Sequence, residues 1–499
     1  MEEEYVKLIF GLKLKQVRTD KNLSLFGLSK LTKLSKSYLN EIEKGKKYPK
    51  TDKIVLLAEK LEVPYDHLVS LKLDKNLAPI GEILQSKILK EIPLELFGIQ
   101  ERTLVDIIAD APDKVNAFIT TLIEVAKHYN FNRENFYLSS LRSYQQSNYN
   151  YFGDLELKVL EFCKAYHIDL NTPTSVSELE EILVEEYGYT INKEDLKKHR
   201  ELYELRCIYV PKTKTLLLAN NIDEAQTMFI YAKEIAYNYL ALNPRLYTFS
   251  WIRFKNFDEV LNNFYASYFA GALLLPREAL VSKFAKILSK DQFDKRAFIK
   301  IFAFFKASPE TFYQRLTNLL AKDYQIKSLF FLRFVHKVQS DSYNLTKELH
   351  LPSQQSPHGN ATDEHYCRRW VSLKVLEEIS KKKQSHIFDI QISNYIEDNM
   401  SYLVFSSATK DPFKTDTYRS ISIGLLINKQ LRKKIAFLDD PKIKTQQVGV
   451  TCERCSIMDC SQRVAPPIIL ERQQKNDSIA AVVAEINEKF SQEPAKTRD

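Results

Sequence analysis

The sequence predicts a mainly α-helical chain with small antiparallel β elements, an α+β fold, and three observations carry that expectation. Glycine is scarce, at 11 of 499 residues, while Lys, Leu, Tyr and Phe are abundant, which favours helices over turn-rich β architecture. Apolar residues recur at helical spacing from the N-terminus onward. Short β-rich runs are confined to a hairpin-like stretch near residue 210 and to the C-terminal third. The length suggests roughly three domains, and a hydrophobic share of 44% is ordinary for folded proteins.

Residues 1–72 read as a small helical domain with a concentrated positive charge. Residues 7–53 hold 13 Lys/Arg against Asp20, Glu41, Glu43 and Asp52, a local excess of +9 where the whole chain carries +8. Such a concentration on a short folded segment is the footprint of a phosphate-backbone partner, with a solvated charged face as the alternative. Leu14 and Val17 belong to a first helix. Ser24 is an N-cap for a helix holding Leu28 and Leu31, and Ser35 is a second N-cap, for a helix with Tyr38, Leu39 and Ile42 on one face. Gly45 closes that helix in the left-handed conformation, Pro49 breaks the chain, and Ile54, Leu57, Ala58 and Leu61 make another amphipathic helix. Two short helices joined by a tight turn form a helix-turn-helix.

The line "LSKSYLNEIEKGKKYP" resembles the recognition helix and following loop of the Cro/CI-type (XRE) family. The resemblance implies that Ser24, Ser35, Lys36, Ser37, Tyr38 and Asn40 face double-stranded DNA and that Lys44, Lys46 and Lys47 neutralise phosphates. Leu25 stands where the family usually has Gln, and Lys33 where the turn usually has Gly.

Residues 73–150 read as a helical connector without a chemical signature, with Leu104, Ile107, Ile108, Val115, Phe118, Leu122 and Val125 on helical faces. From residue 151 the pattern changes. The runs at Cys207–Val210 and 215–219, flanking a Pro-Lys-Thr-Lys turn, suggest a hairpin. A long helix containing "YAKEIAY" (231–237) follows, and then "FYASYFAGALLLPREAL" (264–280).

Over residues 151–350 this order resembles the IrrE/ImmA-type metallopeptidase-like domain, whose zinc helix carries HExxH and whose third ligand is a downstream Glu. That chemistry needs two imidazole lone pairs one helical turn apart and a Glu acting as general base on a metal-bound water. Here Lys233 and Tyr237 occupy the two histidine positions, Asn263 occupies the third, and only Glu234 survives. An ammonium has no lone pair to offer, and a phenol is a poor zinc ligand at neutral pH. No zinc is expected at this helix, and no peptidase activity. Lys233 and Glu234 are expected as solvent-facing or locally paired charges, with a vacated cleft that binds a ligand or an adjacent domain as the functional alternative.

A Pro/Ser/Gln/Gly/Asn-rich stretch at 351–363 reads as a linker. Beyond it, residues 364–499 contain "SYLVFSSATK" and "RSISIGLLIN", expected as antiparallel strands around a binding pocket, and "GVTCERCSIMDCSQRVAPP" (449–467). The last line packs Cys452, Cys455 and Cys460 as C-x2-C-x4-C, a spacing that in a reducing compartment points to metal or redox chemistry before disulfides. Tetrahedral zinc would need a fourth ligand, such as Cys367 or His365. An iron–sulfur cluster tolerates three thiolates. Buried free cysteines are the plain alternative, although Glu453, Arg454 and Asp459 make the line polar for a core strand.

The order of helix-turn-helix, IrrE-like middle and terminal cysteine line resembles the short-chain fatty acyl transcriptional regulators, relatives of the RamB and PrpR types. That resemblance implies a DNA-binding homodimer, acyl-CoA as effector, and a [4Fe–4S] cluster on the three cysteines, with structural zinc or no metal as alternatives. It also suggests Arg368 and Arg369, in "HYCRRW", as holders of coenzyme A phosphates. The expectation is therefore a non-enzymatic transcriptional regulator. Its rivals are a zinc-dependent regulatory protease, a pure redox or iron sensor, and a protein-binding scaffold. No apolar run approaches a membrane span, and the acidic start "MEEEYVKLIF" is unlike a signal peptide, so the cytoplasm is the expected location.

Overall fold

The computed structural model describes residues 2–71, 133–248, 254–351 except 339 and 341, and 364–491 except 383 and 415. Most of the expected connector (73–150) and nearly all of the expected linker (351–363) lie outside these residues. The chain divides into two compact units, residues 1–144 with 253–260 and residues 145–252 with 261–499.

The first unit opens with five helices, α1 (Glu2–Asp20), α2 (Leu25–Thr32), α3 (Lys36–Glu43), α4 (Thr51–Leu61) and α5 (Tyr65–Val69). Their apolar faces meet in one core built from Phe10, Leu14, Val17, Leu28, Leu39, Ile42, Ile54, Leu57, Leu61 and Leu68. Gly11 lets α1 lie directly on α3, since a Cβ there would come within 2.3 Å of the Ile42 carbonyl oxygen. Two of the thirteen cations turn inward. Arg18 grips Glu43 through Nε and Nη2 at 2.6 and 2.9 Å, and Lys13 donates to the His67 and Ser70 carbonyls at 2.9 and 2.6 Å. These two therefore hold the domain together, and the remaining lysines make its cationic surface.

A helix α6 (Arg133–Ser147) spans the boundary between the units. The second unit then contains α7 (Gly153–Ala165), α8 (Val176–Glu181), β1 (Thr190–Asn192), β2 (Cys207–Val210), β3 (Thr215–Leu218) and α9 (Glu224–Tyr239). The expected hairpin forms, with β2 antiparallel to β3 and β1 added in parallel on the other edge of β3. Helices α10 (Phe257–Leu274), α11 (Arg277–Leu288), α12 (Lys295–Phe304) and α13 (Pro309–Asp323) follow. A buried ion pair ties three of these helices together: Arg315 on α13 donates to both carboxylate oxygens of Glu156 on α7, at 2.5 and 2.9 Å, and Tyr268 on α10 adds a third bond at 2.7 Å.

The larger sheet is built from β4 (Leu329–Lys337), β5 (Tyr343–Leu351), β6 (His386–Tyr395), β7 (Ser401–Lys410), β8 (Thr417–Leu426) and β9 (Lys444–Val448), in the order β5-β4-β8-β7-β6-β9. All neighbours are antiparallel except β6 and β9. Helix α14 (Val371–Lys382) covers one face, setting Trp370, Val371, Val375, Leu376 and Ile379 against Phe330, Phe334, Tyr395, Tyr402 and Val404. The other face meets α12 and α13, where Phe298 stacks on Phe405 and Tyr313 bonds Ser407. The expected antiparallel pairing of 401–410 with 417–426 is present. Helices pack on both faces of these strands, which explains why β8 is buried almost throughout instead of alternating. A short α15 (Lys429–Lys434) and a long α16 (Ile468–Ser491) complete the described chain.

Candidate functional site

In the helix-turn-helix, local chemistry sets the geometry. Ser24 Oγ accepts the Gly27 N–H at 2.9 Å and Ser35 Oγ accepts the Tyr38 N–H at 3.2 Å, so both serines cap the helices they precede. Their hydroxyl protons remain available to a phosphate. Lys33 takes φ +56° at the turn, the left-handed conformation that the usual glycine adopts without strain, and Gly45 takes φ +66° after α3. Ser35, Lys36, Ser37, Asn40, Lys46 and Lys47 are exposed, while Tyr38 and Lys44 are half-buried. Lys47 lies 3.4 Å from Glu41 and over the Tyr38 ring, so its ammonium is partly occupied within the domain.

At α9 the vacated metal position is filled by the protein itself. Lys233 and Glu234 are only 5% and 2% exposed, which corrects the expectation that they face solvent; the local pairing expected for them is what forms. Lys233 Nζ donates to Asn263 Oδ1 at 2.6 Å, and the Tyr237 hydroxyl reaches the same oxygen at 3.4 Å. Glu234 Oε2 accepts from Arg245 Nη2 at 2.5 Å and from the Tyr189 hydroxyl at 3.0 Å. The Arg245 guanidinium is itself clasped between the rings of Tyr209 and Tyr237, at 4.3 and 4.1 Å. Burial pulls the Lys233 ammonium down to about 8, against opposing pulls from Cys207 and Glu234. The same three positions that bind zinc in a peptidase thus form a closed hydrogen-bonded set, and these residues do not fit a zinc ion.

The cysteine line is a series of turns rather than a strand, and it gains a fourth member. An isolated bridge between Tyr366 and Thr451, with Cys367 N–H donating to the Val450 carbonyl and Cys452 N–H to the His365 carbonyl, brings Cys367 beside Cys452 and Cys455. Cys367, Cys452, Cys455 and Cys460 line one small hollow, together with Arg368, Thr451, Gln462 and Arg463. All four are free thiols. Burial pushes Cys367 up to about 11, while backbone hydrogen bonds from Arg369 and Gly449 favour its thiolate and soften that rise. Burial also raises Cys455.

Of the two candidates for a fourth ligand, Cys367 lines the hollow, while His365 is not among its lining residues and pairs with Glu453. Its Nδ1 lies 2.7 Å from Glu453 Oε1, and its N–H donates to Glu453 Oε2 at 3.0 Å. Glu453 is therefore buried in this bond rather than exposed. Arg463 shapes the loop by donating to the carbonyls of Cys452, Cys455, Ile457 and Ala465, at 2.7, 3.0, 2.8 and 3.3 Å. Gly449 must lack a side chain, since a Cβ would sit 3.0 Å from Cys455 Sγ. Among the described residues no three His, Cys, Asp or Glu side chains already close on one point as an ion cage. The donor set nevertheless fits a thiophilic group: four thiols on one hollow, with backbone N–H groups aimed at the sulfurs.

Arg368 stacks 4.1 Å over the Tyr343 ring and lines this hollow, while Arg369 reaches the Gln447 carbonyl at 3.4 Å. The cationic group that the sequence does not reveal lies elsewhere in the second unit. Arg206, Arg333, Lys347 and Arg419 surround Glu310, with Asp411 beside Arg419 at 3.4 Å. Burial raises Glu310, but Arg333, Lys347, Arg419 and Arg206 outweigh it and hold the carboxyl at about 2. Arg333 bonds Glu310 at 2.9 Å.

Lys347 sits directly across β4–β5 from Arg333, a like-charge pair that a sheet ordinarily avoids. Its side chain is exposed by area, while crowding by protein atoms pulls the ammonium down to about 8, against the opposing pull of Glu310. Arg419 is 9% exposed and its buried Nε makes no hydrogen bond. Four cations around two carboxylates leave a net positive group, whose donors suit an anion chemically. No sequence signal marks it, because its members are scattered from 206 to 419 and only strand register and helix packing collect them.

Three segments match family models: a helix-turn-helix domain over 11–73, an IrrE N-terminal-like domain over 184–317, and the C-terminal region of the short-chain fatty acyl coenzyme A regulators over 357–483. No curated protein matches the chain. Among solved structures, a Mycobacterium tuberculosis transcriptional regulator is similar over 66% of this chain and 94% of its own, at 19% identity and a TM-score of 0.48. With a recognition helix at one end and a regulator's C-terminal domain at the other, separated by an IrrE-like domain, the chain is a DNA-binding transcriptional regulator.

Proposed function

We propose that this regulator reads a short-chain acyl-CoA, and that the cationic group around Glu310 holds the ligand's phosphates. The observation that carries this reading is the buried Arg419, whose Nε meets Asp411 only at 3.4 Å and without a hydrogen bond, in one group with Arg206, Arg333 and Lys347. Phosphates are the anions such a group suits, because several guanidinium and ammonium donors can bind their oxygens at once. Ligand binding would then bias the packing of the second unit, and through it the spacing of two recognition helices in a homodimer on DNA. Titration calorimetry with propionyl-CoA, coenzyme A and inorganic pyrophosphate tests this. Binding of the coenzymes that weakens at least about tenfold in Arg419→Gln supports it, and no binding, or binding indifferent to that change, overturns it.

The IrrE-like domain acts in this reading as a non-catalytic scaffold, because Lys233, Glu234 and Asn263 spend their polar groups on one another and on Arg245. Peptide cleavage by purified protein with added zinc would reverse that assignment.

A second input is favoured by the four thiols on one hollow. Cys367, Cys452, Cys455 and Cys460 would hold a [4Fe–4S] cluster, or alternatively a structural zinc ion, and a cluster would supply redox sensitivity. Arg463 keeps the loop folded around the site. Iron, acid-labile sulfide and zinc per chain, measured on anaerobically purified protein, distinguish cluster from zinc. Metal in neither form leaves the acyl ligand as the only input. Six free cysteines suit a reducing compartment, and the cytoplasm is the proposed place of action. Among the described residues no helix is long and apolar enough to cross a membrane.

A further inference from the structure

The last described helix, α16, packs on almost nothing. Past the partly buried Ile469 and Leu470, its residues are exposed wherever their side chains are described, and Ile479, Val482, Val483 and Ile486 are each about half-exposed. Their spacing (i, i+3, i+4, i+7) puts them on one stripe of the helix. A helix about 36 Å long at 1.5 Å per residue, with an apolar stripe in water, lacks the tertiary packing that normally supports a helix. It is anchored at its start, where the Ile469 and Leu470 N–H groups donate to the Glu453 carbonyl, inside the cysteine loop, at 3.0 and 3.1 Å.

The charges flanking the stripe identify what covers it. Along one edge, in chain order, stand Glu471, Lys475, Glu485 and Lys489. Laid against a second copy running the opposite way, Glu471 meets Lys489 and Lys475 meets Glu485, and both pairings share a single midpoint, Ala480. The same midpoint brings Ile479 against its own symmetry mate and sets Ile486 over the aliphatic stems of Arg472 and Lys475. A parallel pair in register would instead place each charge beside its like. Glu471 with Lys475 and Glu485 with Lys489 are also one turn apart within a single helix, yet among the described residues none of the four is ion-paired. We propose that α16 is a homodimerisation element that pairs antiparallel with α16 of a second copy about a two-fold axis near Ala480. A patch complementary to itself under a two-fold rotation is what an isologous interface requires.

The test is a charge exchange on the full-length protein, read by sedimentation velocity without DNA, so that its failure leaves the DNA reading untouched. One variant carries Glu471→Lys with Glu485→Lys, and the other Lys475→Glu with Lys489→Glu. All four side chains are exposed, and unchanged circular dichroism confirms folding. The wild type is expected to be a dimer. Each variant alone should self-associate at least about tenfold more weakly, because two attractive pairs and their symmetry mates become repulsive, and an equimolar mixture should recover the dimer. Ile479→Asp should weaken the dimer without rescue by either charge variant. A monomeric wild type, a variant that dimerises as well as wild type, or a mixture that stays monomeric each overturns the proposal.

Discussion

The helix at 224–239 and the cysteine loop at 449–463 both carry residues at positions suited to metal chemistry, yet they stand in opposite states. At the helix every polar group that a metal would have displaced is spent inside the protein: Lys233 on Asn263, and Glu234 on Arg245 and Tyr189. At the loop four free thiols line a hollow, and the surrounding polar groups, Arg463 and the Glu453–His365 pair, hold the backbone instead of the sulfurs. The difference teaches that a carboxylate at such a position is tolerated inside the protein only when it is paired. The buried carboxylate left behind needs a new counter-charge, and Arg245 supplies it.

The largest expected effect lies at the loop. Cys367→Ser should lower the metal or sulfide content of purified protein as completely as Cys455→Ser, whereas His365→Ala should leave it near the wild-type value. Metal retained in Cys367→Ser but lost in His365→Ala would exchange the roles assigned to the two residues. At the helix, Glu234→Ala removes the counter-charge of a buried guanidinium and should destabilise the protein by about 3–5 kcal/mol in urea unfolding. A change within about 0.5 kcal/mol would mean the pair is no structural replacement for a metal.

A smaller effect is pH-dependent. The Lys233 ammonium is depressed from an ordinary 10.5 to about 8, so between these values the unfolded chain binds more protons than the folded one. Stability contributed at this position therefore rises with pH through that window, by up to about 1.4 kcal/mol per unit, and is fully penalised below it. The difference in stability between wild type and Lys233→Met should shrink or grow accordingly between pH 8 and 10, in favour of wild type as pH rises, and a flat difference would show that the ammonium is not desolvated. Smallest of all, Tyr237→Phe should cost about 0.5–1 kcal/mol, because it deletes a long 3.4 Å hydrogen bond and keeps the ring that stacks on Arg245.

How far each region was legible follows from the range of its interactions. The helix-turn-helix was readable almost residue by residue, since Ser24 and Ser35 cap the turns beside them and Gly45 and Lys33 take their left-handed conformations within a few residues of their partners. That Lys233 and Tyr237 offer no imidazole was legible from residue type alone. Their burial was not, because the segment is locally polar and only packing against α10 and Arg245 removes it from water. The cysteine spacing was plain, but choosing Cys367 over His365 needed the bridge that joins 366 to 451. The cationic group around Glu310 had no local trace at all.

The sequence by itself thus determined the helix-turn-helix with its caps and the strand pairing of the hairpins, both of which depend on side-chain chemistry or on contacts a few residues apart. Only the tertiary structure decided which charges are buried, which thiol is the fourth and where four cations converge. Those outcomes depend on desolvation and on partners tens to hundreds of residues away, and a short stretch of sequence carries no record of what will face it.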